Sequence, residues 1–164
     1  MDQTGTSPSP DPCRQLLRHT LATLAYRGAK ALRGAPPEFA TFSACGRTPA
    51  QILAHVCDLM DWALSMANGE KKWRDTQPAG WDADVKRFFA SMEKFDACLR
   101  STAPLSTPVE QLFQGPVADA LTHVGQIAMQ RRLAGCAIKG ENYLLADIAA
   151  GRVGEEQRPP KREF

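Results

Sequence analysis

Apolar residues recur along this chain with a helical spacing of three and four, and four long segments carry the pattern. The first runs from about Arg14 to Leu32, with Leu16, Leu17, Leu21, Leu24, Ala25 and Leu32 as its stripe; Gly34, Pro36 and Pro37 stop it. The second has a marked start: Thr48 can cap, Pro49 suits the first helical position and Gln51 completes a capping box. It should reach about Asn68, with Gly69 as the stop. After the polar linker KKWRDTQPAG, a third helix is predicted from about Asp82 to Ser101, its stripe being Val85, Phe88, Phe89, Met92, Phe95 and Leu99. Thr107, Pro108 and Glu110 repeat the capping grammar, and the turn VEQLFQ leads through Gly115 and Pro116 into a fourth helix ending near Gly135. A last short helix is expected from about Asn142 to Ala150.

No segment reads as a strand. The fold class that follows is all-α: a four-helix bundle with a short C-terminal helix. The connections around the second helix, roughly a dozen residues each, exceed the usual two to eight of bundle hairpins and leave room for crossovers. One domain, residues 13–153, is expected between a disordered start, residues 1–12, rich in Pro, Ser, Thr and Gly, and a flexible tail, residues 154–164.

Composition narrows the function. The chain has 164 residues, 43% hydrophobic and 23% charged, the profile of an ordinary soluble domain with a real core. A net charge of +2 without a lysine–arginine stripe argues against nucleic acid as partner. No apolar run approaches membrane-spanning length, and the start lacks the basic and apolar parts of a signal peptide. Five scattered cysteines without a CxxC pair give neither a disulfide framework nor a cysteine-rich zinc site. A reduced, cytoplasmic protein is the expectation.

Chemistry concentrates on the fourth helix. In GPVADALTHVGQIAMQ the only formally charged side chain is Asp119, four residues before His123. Residues at that spacing share one face, about 5–6 Å apart at Cβ, so a carboxylate and an imidazole can grip one metal ion if another helix brings a third ligand. His55 in TPAQILAHVCDLMDW is the candidate, placed by helical-wheel arithmetic at the edge of the apolar arc of the second helix; Asp58 and Asp61 fall further round, toward solvent. Two readings of the stripe Asp119, His123, Gln126 and Gln130 stay open. It is either a wet face or the lining of an internal cleft, and the absence of Lys and Glu favours the cleft. A single histidine on an apolar face is also more often a hydrogen-bonded core residue than a ligand. His19 lies off the first stripe, facing solvent, and Arg131 and Arg132 fit the dipole at a helix end.

The segments TPAQILAHVCDLMDWAL, ALTHVGQIAMQRRLAG and ENYLLADIAAGRVG resemble the DinB-like (DinB/YfiT) superfamily, over most of the chain up to about Gly151. That resemblance implies a four-helix bundle with crossover connections, a homodimer, and a metal site of three histidines. The second-helix position is His55, and the later position of the fourth-helix pair is His123, followed by Gly125 and Gln126. The earlier position of the pair holds Asp119 in place of a histidine. Carboxylate oxygen still ligates zinc and first-row ions, so zinc, nickel, manganese and iron all remain open. The function implied is that of a metal-dependent enzyme with His55, Asp119 and His123 as ligands. It would act on a small molecule, as a transferase using a low-molecular-weight thiol or as a hydrolase, with Gln126 orienting a ligand from behind. The alternative is a non-catalytic dimeric bundle, a binding or stress-related protein whose site has been altered or lost.

Overall fold

The computed structural model describes residues 11–44 and 46–164. Helices α1 (Pro12–Leu32), α2 (Pro49–Ala67), α3 (Trp81–Arg100), α4 (the single turn Val109–Leu112) and α5 (Ala118–Leu133) carry the fold. Among the described residues there is no strand, only an isolated antiparallel bridge between Glu141 and Glu163. No helix among them is long and apolar enough to cross a membrane. Most of the start expected to be disordered lies outside the described residues. Pro12 already opens α1, whose first amides at Cys13 and Arg14 are capped by the Asp11 carboxylate.

Local chemistry sets the ends of α2 as the capping box requires: the Gln51 amide donates to Thr48 Oγ1, and the Thr48 amide donates to Gln51 Oε1. Gly69 follows the helix at φ +82°, a conformation costly for any residue with a Cβ. α3 starts without a side-chain cap; Asp82 and Asp84 in its first turn offset the helix dipole instead.

Helices α1 and α2 each pack against both α3 and α5, which sets α1 and α2 across the core from one another. The interior is built from Leu21 and Leu24 of α1, Leu53 and Met60 of α2, Phe88 and Phe95 of α3, and Ile127 of α5, all fully buried. Each such side chain contributes roughly 1.5–3 kcal/mol relative to exposure. α1 approaches α3 closely because Gly28 has no side chain. A Cβ there would stand 2.6 Å from Phe88 Cζ.

Four sequence expectations are corrected. Leu16 is 69% exposed, because it lies about 100° round the helix from Leu17, which holds the core position. Asp58 does not face solvent: it is 1% exposed, clamped between Thr76 and Arg87. The fourth helix does not start cleanly at Gly115 and Pro116. A π-helical turn, Phe113–Val117, joins α4 to α5 and contains Pro116. Proline has no amide hydrogen and crowds the preceding turn, and a widened turn accommodates both defects. Finally, the expected helix from Asn142 to Ala150 is a single 3-10 turn, Tyr143–Leu145, capped by the Asn142 side chain. So short a segment gains too few internal hydrogen bonds to offset helix nucleation.

The rest of the C-terminal segment lies against α1. Asn142 and Phe164 amides donate to the carbonyls of Arg162 and Gly140. The buried Glu141 carboxylate accepts from Tyr26 Oη at 2.6 Å and Lys30 Nζ at 2.7 Å, and Lys30 also reaches Glu163 at 2.9 Å.

Candidate metal centre

Helix α2 presents His55 and helix α5 presents Asp119 and His123 at one place, where the two helices pack. One ligand atom from each lies within 4.8 Å of the others. His123 Nε2 stands 3.4 Å from Asp119 Oδ1, and His55 Nε2 stands 3.7 Å from Asp119 Oδ2. Both separations exceed a hydrogen bond, whose N···O distance is about 2.7–3.2 Å. Two donors each about 2.1 Å from one ion in tetrahedral array stand about 3.4 Å apart. Each imidazole thus faces a different oxygen of the Asp119 carboxylate, His123 at the co-ligand spacing and His55 a little beyond it, in a group whose ligand atoms span up to 4.8 Å. Two nitrogens and one carboxylate suit a divalent first-row ion.

Burial grades across the three. The imidazoles of His55 and His123 are 19% and 14% exposed, whereas the Asp119 carboxylate is 47% exposed. Solvent thus reaches the group from the Asp119 side. The two rings meet edge to face, with centroids 4.8 Å apart. His123 Nδ1 lies 2.8 Å from Gln126 Oε1, three residues on. An acceptor at Nδ1 fixes the proton there and leaves the Nε2 lone pair free on the side of Asp119, the tautomer a ligand needs. Burial holds the His55 ring below the usual imidazole pKa; the nearby His123 and the Arg47 guanidinium push the same way, against the Asp119 carboxylate. The shift favours the neutral ring, the form that ligates a metal.

Both open readings of the α5 polar stripe are partly realised. Asp119 and Gln126 are exposed, His123 is mostly covered, and Gln130 is buried. Gln130 does not reach the site; its Nε2 donates to the Arg47 carbonyl at 2.8 Å and ties the start of α2 to α5. His19 is exposed and is not part of the group. Arg131 is buried and spends its guanidinium on four carbonyls, those of Ala31, Arg33, Gly34 and Cys136, closing the ends of α1 and α5.

Sequence reasoning missed Trp73. It comes from the polar linker after α2 and sets its ring edge to face on His55, centroids 5.6 Å apart, with Trp62 of α2 equally close behind it. The signal was a lone tryptophan among charged residues, a large apolar surface in need of a partner. The linker is held by buried groups of the helices. Asp58 accepts from the Thr76 amide at 2.7 Å and the Thr76 hydroxyl at 2.8 Å, and Asp84 accepts from the Ala79 amide at 3.1 Å. Arg87 bridges Asp58 to Asp61, which also accepts from Ser91.

Two depressions flank the three residues. One is polar, lined by Arg47, Gln51, His55, Asp75, Thr76 and Gln77. The other is more apolar and open, lined by Leu59, Trp62, Gly115, Ala118 and Asp119, and the π turn forms part of its wall. No protein-family model, curated protein or solved structure matches the chain. Any functional reading must therefore rest on this site.

Proposed function

We propose that the chain is a metal-dependent enzyme of the DinB-like type, a four-helix bundle with crossover connections that holds a divalent ion through His55, Asp119 and His123. The observation that supports this most is the convergence of three ligand-type side chains from two helices, one ligand atom of each within 4.8 Å of the others. A divalent ion bound there lowers the pKa of a coordinated water or thiol, the activation that hydrolysis or thiol transfer to a small electrophile requires.

The protein's own groups divide the remaining work. Gln126 holds the His123 tautomer, and burial, with the Arg47 guanidinium nearby, disfavours the charged form of His55. Asp119 supplies a negative charge where the resembled family has a neutral imidazole, which tempers the Lewis acidity of the centre. Trp73, backed by Trp62, packs on the His55 ring and offers an aromatic surface to an apolar part of a substrate. The exposed side of Asp119 is the entry for that substrate.

Metal loading tests the proposal. Tag-free protein, stripped with chelator, is titrated separately with zinc, nickel, manganese and ferrous ion, and bound metal is measured by mass spectrometry. The expected result is one ion per chain, with affinity reduced at least tenfold in His55→Ala, Asp119→Ala and His123→Ala. A wild-type chain that takes up none of the four ions refutes it.

A further inference from the structure

The polar depression beside His55 contains an arrangement that metal ligation does not use. Arg47 and Asp75 both line it, a cation and an anion in one cleft of about 200 Å³. Both residues are exposed, and among the described residues neither side chain makes a hydrogen bond or ion pair with the protein. Their backbones, by contrast, are pinned by buried polar groups. Gln130, 6% exposed, donates to the Arg47 carbonyl, and Arg47 directly precedes the capping box of α2. Asp58, 1% exposed, takes both the amide and the hydroxyl of Thr76, the residue after Asp75. A cation and an anion thus line one small cleft, each exposed to solvent and each next to an anchored stretch of backbone.

Complementarity then selects the occupant. A simple carboxylate or phosphate would satisfy Arg47 and be repelled by Asp75; an amine would do the reverse. The cleft is smaller than the roughly 300–1,000 Å³ of sites for drug-sized ligands, so it takes only a compact head group. Gln51, Thr76 and Gln77 on its walls add neutral hydrogen-bonding capacity. His55 lines the same cleft, so a molecule bound there lies beside the candidate metal centre.

We propose that this cleft binds the zwitterionic head of a free α-amino acid, its carboxylate on the Arg47 guanidinium and its ammonium on the Asp75 carboxylate, with the side chain directed at His55. The inference rests on the metal-centre reading for the purpose of the bound amino acid but not for the binding itself. Substrates of the site are accordingly amino acids or small molecules that carry an amino-acid head.

The test is an NMR titration of 15N-labelled full-length protein, metal-free and zinc-treated, with each of the twenty L-amino acids. The amides of Gln51, Thr76 and Gln77 serve as reporters. At least one amino acid should shift these amides saturably, and its desamino and carboxamide analogues should bind at least tenfold more weakly. R47Q and D75N should each weaken binding at least tenfold with unchanged folded spectra, and zinc uptake by both should equal that of wild type. The inference is overturned if none of the twenty binds below about 10 mM, an affinity already worth under 3 kcal/mol. It is equally overturned if succinate or the desamino analogue binds as well as the amino acid, or if R47Q and D75N bind like wild type. Zinc uptake without amino-acid binding removes this inference and leaves the metal centre standing. Amino-acid binding by a chain that takes up no metal does the opposite.

Discussion

Asp58 is the residue on which the helices and the site depend together. Its carboxylate is 1% exposed and accepts from the Thr76 amide, the Thr76 hydroxyl and the Arg87 guanidinium. Replacing it by alanine strands the buried part of Arg87 and frees the linker that carries Trp73. Thr76 is exposed, so water restores its hydrogen bonds and that part of the loss is about 1 kcal/mol for each. Arg87 retains Asp61 at 2.8 Å, which limits the remainder. The sum is about 3 kcal/mol, at the low end of the roughly 3–5 kcal/mol measured when one partner of a buried ion pair is removed. With a urea dependence of about 2 kcal/mol per molar, the unfolding midpoint of Asp58→Ala should fall by about 1.5 M. Circular dichroism measures that midpoint. Tryptic cleavage after Lys71, Lys72 or Arg74 in native buffer, which should accelerate in the variant, reports the freed linker. A midpoint within about 0.25 M of wild type is what a solvent-facing aspartate would give, at the roughly 0.5 kcal/mol of ordinary surface changes, and would refute the account.

Three further outcomes follow from particular contacts. The depressed pKa of His55 means the folded state resists protonation of that ring, so metal-free protein keeps this stability above the ordinary imidazole value of 6.5. It loses it as pH falls through the lower folded value; His55→Gln should flatten the fall in unfolding midpoint between pH 7 and 5, and an unchanged slope would contradict the assignment. Burial pushes the Cys57 thiol up to about 12. Iodoacetamide at pH 8 should therefore label exposed Cys13 but label Cys57 only after denaturation, as mapped by peptide mass spectrometry; native labelling of Cys57 would show that α2 is not packed as described. Gly28→Ala forces a methyl into the Phe88 ring and should destabilise by about 1–3 kcal/mol, despite alanine's better helix propensity. A neutral or stabilising result would mean that α1 and α3 are further apart.

The helices were legible wherever one physical cause decided them. The Phe88–Leu99 stripe of α3 and the Thr48–Gln51 box of α2 are local patterns, and both occur as read, Val85 alone being only partly covered. Misreadings arose where tertiary contacts outweighed local pattern. Wheel arithmetic sent Asp58 to solvent because it treats a helix as having one apolar side and one wet side. The linker after α2 folds back over that wet side and needs an acceptor for Thr76, and no period in the α2 sequence encodes this. Pro116 signalled a break, yet the chain continues through it by widening one turn, since α4 and α5 are both held against the same core.

The candidate site shows the same division. Asp119 and His123 were legible together because a four-residue spacing fixes them on one face; the wheel placed His55 only at the edge of the apolar arc, and the family resemblance joined it to the pair. Trp73, Arg47 and Asp75 were not, because linker residues have no periodicity and their positions depend on which buried side chain grips the backbone next to them. Those grips, Asp58 on Thr76 and Gln130 on Arg47, are polar groups sealed where a leucine or methionine would pack without desolvation cost. Their retention has a physical rationale if the linker must stand at a fixed distance from α2 and α5. Hydrophobic contact would tolerate sliding of the linker over the helices, whereas two hydrogen bonds donated by one threonine to one carboxylate set its position to within a fraction of an ångström. On the proposed reading, candidate ligands on rigid helices and recognition groups on two connections anchored from beneath would let chemistry and selectivity be altered separately: Asp119 for the first, Arg47 and Asp75 for the second.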